Sequence, residues 1–568
     1  MRDQTHIPEN PLRLRNVTVA EVYLRLLKMR GIDYFFANAG TDFTPLIEAF
    51  AKGKAEAIEM PIPITAPHEN IAVGMAMGHT LSSGKPQAVM VHVNVGTANA
   101  LCGIMNASRL QVPMLFTAGR TPILEEGAPG SRMGFIHWPQ EMRDQAGMLR
   151  EMVRWDYELR DPRQLLDVVD RAMAMCQSNP AGPVYLTLPR EVLASTFDEF
   201  VLPAAARHTP VPAGQADANE IAKVSNWLSE SKRPLLITAM TGRTDSAKLA
   251  LEAFCEVWAV PAVSYMPRFV EISADHPMNV GGGLSPWIDE ADLVLVSECV
   301  APWIPNIQSP PKDARVVQIG TDPLWRDLPM RSFVSDAVLQ GDPASIFSAL
   351  TQTVPKDTDW TERRTRVSTR KDTTARKIKA PEPADVITPS QITAAVAKLC
   401  KGCVILREGP LSYEGLELTE SGSFFFAGAA GGLGWSLGTA LGISLARKKA
   451  PVVVGVGDGA YMFGTPLAAH FVAAEQSIPL LTLVFNNKGW HAVRRATHGM
   501  YKNGYAASAK PEPLTDFAPD MAYEHMMDVV GGFGRRVERP EELMPTLKEA
   551  MDEICKGRQA LLNIICST

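Results

Sequence analysis

From about Val17 to Arg190, stretches whose apolar residues recur at helical spacing alternate with short runs that are apolar throughout. Thr18–Lys28 predicts an amphipathic helix, Tyr34–Ala37 a buried strand, and a second helix begins at Pro45. Further strands are predicted at Ala57–Ile64, Ala88–His92, Met114–Ala118 and Val184–Leu188. Strands without a polar face, separated by helices, belong to parallel sheets covered on both sides. The rhythm stops at Leu202–Gly214, which is rich in Ala and Pro, and resumes with apolar runs at Pro234–Thr238, Leu293–Ser297 and Val316–Ile319. It stops again at the charged stretch Asp357–Asp385, read as a second linker, and returns with strands at Val404–Leu406, Val452–Val456 and Leu480–Asn486. The expectation is an α/β protein of three domains, each a parallel sheet flanked by helices, over residues 1–195, 215–355 and 386–568.

Composition narrows the function without naming it. The 568 residues exceed what one core organises, and 46% apolar with 21% charged residues is a globular profile. A net charge of −6 gives no broad field for nucleic acid or membrane, so a small-molecule ligand is expected. No apolar run reaches bilayer length and the N-terminus reads as no targeting signal, so a cytoplasmic location is expected. The eight cysteines lie mostly in apolar segments, and Cys400-Lys-Gly-Cys403 lacks the second pair that a structural zinc needs.

The strongest chemical signal is Gly457-Asp458-Gly459-Ala460 directly after the buried strand Pro451–Val456, with Asn486-Asn487 closing the next strand. Carboxyl ends of neighbouring parallel strands are where such sheets bind ligands. The glycines let a phosphate approach the backbone, while Asp458 and Asn487 offer the hard oxygens that Mg²⁺ prefers. A helix over Tyr461–Glu475 would aim its N-terminus at the same anion. Two other readings stand beside this one: a degenerate dinucleotide fingerprint in Gly455-Val-Gly457-Asp-Gly459, and an ordinary strand-to-helix turn.

These residues resemble the diphosphate–Mg²⁺ motif of the thiamine diphosphate enzymes that include acetolactate synthase, pyruvate decarboxylase and benzoylformate decarboxylase, and the similarity covers nearly the whole chain. The resemblance implies a pyrimidine-binding N-terminal domain, a middle domain and a diphosphate-binding C-terminal domain. It implies that Glu69, in Pro67-His68-Glu69-Asn70, hydrogen-bonds the aminopyrimidine ring and promotes deprotonation of the thiazolium carbon. The bare sequence offers only a carboxylate favoured by a helix N-terminus. Val95-Gly96-Thr97-Ala98-Asn99 is similar to a turn beside the cofactor, Glu408-Gly409-Pro410 to a stretch near the diphosphate, and Gly432-Leu433 to the apolar support that bends the cofactor. The Gly489 carbonyl would complete the metal shell, giving Asp458, Asn487 and Gly489 as ligands.

His92 falls at the active-site histidine of benzoylformate decarboxylase, with Thr41 in place of its serine, and His92 is read either as a proton relay or as a structural strand end. The chain departs from its relatives elsewhere. It has no adjacent His-His pair, Glu298–Asn306 lacks a second histidine, and Arg120 stands where the family has glutamine. Arg120 could grip an anionic group or form a structural ion pair. His276-Pro277 and Gly281-Gly282-Gly283 echo a flavin-contacting stretch, but Glu298–Trp303 replaces the charged run that goes with it, so FAD is not expected.

The expected function is a thiamine diphosphate- and Mg²⁺-dependent lyase or transferase acting on a 2-oxo acid, aldehyde or ketone, by decarboxylation, carboligation or both. The active sites would lie between subunits of a homodimer or homotetramer. The alternatives are a thiamine diphosphate-dependent lyase or hydrolase acting on a diketone or acyl-CoA, and a nucleotide-dependent oxidoreductase.

Overall fold

Each of the three apolar rhythms closes into its own parallel sheet in the computed structural model, which describes residues 11–377 and 385–567. The first part of the chain holds β1 (Leu12–Thr18), β2 (Tyr34–Ala37), β3 (Ile62–Thr65), β4 (Ala88–Val91), β5 (Met114–Arg120), β6 (Asp156–Glu158), β7 (Pro183–Pro189) and β8 (Thr196–Leu202). Its sheet runs β3-β2-β4-β5-β7-β6, while β1 and β8 pair antiparallel beside it. The middle sheet contains β9 (Pro234–Thr238), β10 (Ala262–Ser264), β11 (Leu293–Ser297), β12 (Arg315–Gly320) and β13 (Ala337–Gln340), ordered β10-β9-β11-β12-β13. The last contains β14 (Val404–Glu408), β15 (Phe424–Phe425), β16 (Val452–Gly457), β17 (Leu480–Asn486), β18 (Phe533–Val537) and β19 (Ala560–Ile565), ordered β15-β14-β16-β17-β19-β18.

The first and last six-stranded sheets share one winding: second strand at an edge, then first, third, fourth, sixth and fifth. Strand order therefore reverses between β2 and β4 in one sheet and between β14 and β16 in the other. The crevice at the carboxyl ends of such a pair is the ligand position of open α/β sheets. Burial explains the run of apolar strands, since every residue of β7 and β17 is buried.

Two helices lock the first sheet's layer to the last. Glu69–Ser83 and Trp435–Ala446 cross at glycines, and a Cβ on Gly78 would lie 2.0 Å from the Thr439 carbonyl oxygen. The backbones touch because those positions carry no side chain.

The structure corrects three sequence expectations. The strand expected at Ala57–Ile64 spans Ile62–Thr65, because the preceding helix runs through Ala55 and Ala57 takes φ +52° in a turn. The linker expected at Asp357–Asp385 is helical over Thr361–Lys377, and its residues 378–384 lie outside the described residues. Its charge misleads, for Arg363 is buried and donates to the carbonyls of Trp258, Leu228 and Ser231, while Arg366 and Arg370 hold Glu290. The helix expected at Tyr461–Glu475 is two helices, Asp458–Phe463 and Pro466–Glu475, since Pro466 cannot continue the first. Among the described residues, no helix is long and apolar enough to cross a membrane.

Candidate active site

His92 is the first residue beyond β4 and Asp42 lies five residues beyond β2, so the reversal point of the first sheet brings them together. The Asp42 carboxylate is buried, lies 2.5 Å from His92 Nδ1 and accepts the Val93 N–H at 3.2 Å. Val93 holds φ +34°, a conformation that a β-branched residue avoids. Space for the pair comes from two glycines: a Cβ on Gly40 would stand 2.1 Å from His92 Nδ1, and one on Gly119 1.8 Å from Asp42 Oδ2. The hydrogen bond to Asp42 raises the His92 pKa above the ordinary imidazole value, with burial opposing and the charges of Asp42 and Glu69 adding. Nε2 is left free of Asp42 and meets the Gln140 amide at 3.4 Å.

Glu69 opens the helix Glu69–Ser83, where the N-terminal dipole favours a carboxylate. It is buried, and the Asn99 amide donates to it at 3.2 Å. Thr41 is exposed on the rim, and its carbonyl accepts from Arg190. Arg120 donates to both Glu141 and Glu158 at 2.8 Å, which makes it the ion-pairing arginine of the two readings.

The carboxyl edge of the last sheet collects the second group. Asp458, buried at the start of Asp458–Phe463, accepts the Gly459 N–H at 2.7 Å and the Gly489 N–H at 3.2 Å, with the N–H groups of Lys488 and Asn487 also turned on it. Burial nevertheless raises its pKa. Asn487 follows β17, and its amide oxygen is buried with no hydrogen-bond partner in the chain. A Cβ on Gly459 would strike the Trp490 ring at 2.3 Å, so this turn is closed from above by an indole. Gly457 caps the helix, and Ala460 is buried within it.

Glu408, the last residue of β14, accepts the backbone N–H groups of Gly434 at 2.6 Å and Ser436 at 3.0 Å. Burial pushes its carboxyl up to about 7. It therefore caps Trp435–Ala446, with Gly409 and the exposed Pro410 continuing the edge. Asn106, from the first layer, ties down the segment before that helix: its amide donates to the Gly432 carbonyl at 2.9 Å and accepts the Ala430 N–H at 3.1 Å. Leu433 is left 39% exposed, an apolar side chain standing free at the end of a strapped loop.

Sequence reasoning missed Asp42, Asn106 and Gln140. Asp42 carried a signal, a carboxylate next to a candidate hydroxyl in Gly40-Thr41-Asp42, whereas Asn106 sits unremarkably inside a helix.

The chain matches the thiamine pyrophosphate enzyme N-terminal TPP binding domain over residues 17–148 and the corresponding C-terminal TPP binding domain over residues 412–564. It is 26% identical to benzoylformate decarboxylase of Pseudomonas aeruginosa, covering 84% of this chain and 87% of that one. It is 23% identical to human 2-hydroxyacyl-CoA lyase 2, covering 95% and 88%. The solved structure of benzoylformate decarboxylase from Polynucleobacter necessarius superposes with a TM-score of 0.79 at 20% identity, over 98% of this chain and 99% of that one, a likeness of fold.

Proposed function

Because the chain belongs to the thiamine pyrophosphate enzyme family, we propose that it binds thiamine diphosphate through Mg²⁺ and breaks or makes the carbon–carbon bond beside the carbonyl of a 2-oxo acid. The observation that carries this reading is the buried Asn487 amide oxygen, unpartnered beside the Asp458 turn. Leaving such an oxygen unpaired is costly, and a hard cation answers it. Asp458, Asn487 and the Gly489 carbonyl would hold the metal, with Gly457, Gly459 and Ala460 beneath the diphosphate. Glu408, Gly409, Pro410, Gly432 and Leu433 would line the rest of the cofactor site.

Bound thiamine diphosphate supplies the electron sink that lets a 2-oxo acid lose CO₂. The chain's own residues do the remaining work. Glu69, oriented by the Asn99 amide, would offer its carboxylate to the aminopyrimidine ring. Leu433 would give the bound cofactor an apolar support. His92, kept in one orientation by Asp42, moves a proton at Nε2 where the substrate carbon changes charge. Thr41 lies on the rim of the same crevice. We place the complete site between two copies of the chain; exposed Met133 and Phe135, at 81% and 86%, lie on the loop next to Gln140 and suit burial by a second copy.

The kinship with benzoylformate decarboxylase supports decarboxylation, and that with 2-hydroxyacyl-CoA lyase 2 supports ligation or its reverse. Protein stripped of cofactor and reloaded with thiamine diphosphate and Mg²⁺ tests the reading on a panel of 2-oxo acids and aldehydes. CO₂ release or ligated products are expected. Failure to bind the cofactor overturns it.

A further inference from the structure

At the junction of the middle sheet's layer with the last sheet, two guanidinium groups share one aromatic ring. The Arg268 guanidinium carbon lies 4.3 Å from the centre of the Phe426 ring, and that of Arg407 lies 5.9 Å from it. Arg268 is fixed by its backbone, which donates to the Ala239 carbonyl at 2.7 Å and accepts the Phe426 N–H at 3.0 Å. Arg407 is the penultimate residue of β14, one position before the Glu408 cap, and Phe426 packs on Trp435 at the start of the capped helix. The pair therefore borders the carboxyl edge where the cofactor site is proposed.

Neither guanidinium has a carboxylate within ion-pairing distance among the described residues, and Arg268 Nη1 is buried with no hydrogen-bond partner. This contrasts with Arg120, Arg154 and Arg494, each of which ends on an acid. The ring face offsets part of the desolvation, but two like charges on one ring repel, and burial acts against the charge of both. The nearby acids do not settle the balance: Glu271 is a buried carboxyl pushed up to about 7, held by Thr238 and the Gly242 N–H, and Glu414 bonds to Ser412. A planar fork of donors with no acceptor is shaped for a carboxylate or phosphate group.

We propose that Arg268 and Arg407 form an oxyanion subsite that takes a second acidic group of the substrate, remote from the reacting carbonyl, so that the enzyme prefers a 2-oxo acid carrying a further carboxylate or phosphate. The assignment of the anion to a substrate rests on the 2-oxo acid reading above. The anion site itself does not.

Arg407→Leu and Arg268→Gln test both parts. In the first arm, inorganic phosphate and succinate are titrated against the wild-type protein and each variant by calorimetry and thermal melting. The wild type is expected to bind both anions and each variant to bind them roughly ten- to hundredfold more weakly. Arg407→Leu should melt at the same temperature as the wild type or higher without anion, because a half-buried charge with no ion-pair partner has been removed. In the second arm, the ratio of kcat/KM for a 2-oxo dicarboxylic acid to that for an uncharged-chain 2-oxo acid should fall by a similar factor in both variants.

Unchanged anion binding in the variants overturns the site. Anion binding that is lost while the ratio of kcat/KM holds assigns the site to a free anion and overturns the substrate proposal. A wild type that binds anions but releases no CO₂ from any 2-oxo acid overturns the substrate assignment together with the reading it rests on, and leaves the oxyanion site standing. A variant that melts well below the wild type shows arginines with a structural role and counts against the site.

Discussion

The Asp42 carboxylate meets His92 Nδ1 at 2.5 Å, in a space that exists only because Gly40 and Gly119 carry no side chains. A histidine held this way has one orientation and one free nitrogen. Its raised pKa keeps it charged to higher pH than a free imidazole, which suits a group that must give up a proton near neutrality.

Asp42→Asn preserves the shape of the contact and removes its charge. The His92 pKa should fall, the alkaline limb of the pH–rate profile should move to lower pH, and kcat should drop by roughly ten- to a hundredfold. Stability carries a matching sign. A histidine whose folded pKa is raised contributes its stability in full below the unfolded imidazole value and loses it as pH rises through the folded value. The gap in melting temperature between wild type and variant should therefore be widest in mild acid and close as pH rises. Imidazole NMR titration reports the shift directly, and superimposable titration curves would falsify the coupling.

Glu69→Gln separates charge from geometry at the other end of the crevice. Glutamine still offers an oxygen to the Asn99 amide, now at 3.2 Å from the carboxylate. It cannot supply the charge that drives proton removal. Turnover should fall by about 10²- to 10⁴-fold, with the thiamine diphosphate dissociation constant moving by less than about tenfold. Steady-state CO₂ release and a fluorescence titration of the cofactor measure the two quantities. Parallel loss of both would make Glu69 a binding residue only.

Metal removal should act on binding. Chelation with EDTA, or Asp458→Asn, is expected to weaken thiamine diphosphate binding and erase the thermal protection it confers. Protection of about 2.7 kcal/mol accompanies a ligand at a hundred times its dissociation constant, so a melt resolves its loss. Thermal protection by thiamine diphosphate that persists in EDTA would remove Mg²⁺ from the site.

How far the sequence discloses this arrangement depends on what each residue needs from distant parts of the chain. Strands from each of the three sheets are legible because burial on both faces leaves runs such as Leu480–Asn486 with little else to be, whereas Ala262–Ser264, Ala337–Gln340, Phe533–Val537 and Ala560–Ile565 escape the reading. The Gly457-Asp458-Gly459 turn is legible as the point where a buried strand opens a helix, and the family match replaces the dinucleotide reading of the same glycines. The helix Thr361–Lys377 is not, because its arginines look solvated until Trp258, Leu228 and Glu290 are found to receive them. Asp42 is hidden for the same reason: its partner lies fifty residues away, and only the strand order β2-β4 makes them neighbours. Arg120 shows the converse, since the alternative of a structural pair is decided by Glu158, on a strand added beside β7.

The helix crossing that joins the layer carrying Glu69 to the layer carrying Glu408 gives the last prediction. In an exposed helix, Gly→Ala gains roughly 0.8–1 kcal/mol. At Gly442 the sign should reverse, because the new Cβ would stand 1.9 Å from the Met75 carbonyl oxygen and 2.8 Å from the His79 nitrogen, both backbone atoms that a rotamer change cannot move. A loss of about 1–3 kcal/mol is expected from forcing the helices apart. Gly499→Ala is the control: it lies in the helix His491–Met500 with nothing within 4 Å of its Cβ position, and should be neutral or stabilising. The helices that meet at Gly442 begin at Glu69 and, just past the Glu408 cap, at Trp435. Separating them would move both the helix start that carries Glu69 and the one that Glu408 caps, so Gly442→Ala should weaken thiamine diphosphate binding although the residue lies well inside a buried helix. Denaturant unfolding and cofactor titration on the two variants check this, and an unchanged cofactor affinity in a destabilised Gly442→Ala protein would show that the crossing holds the fold without setting the site.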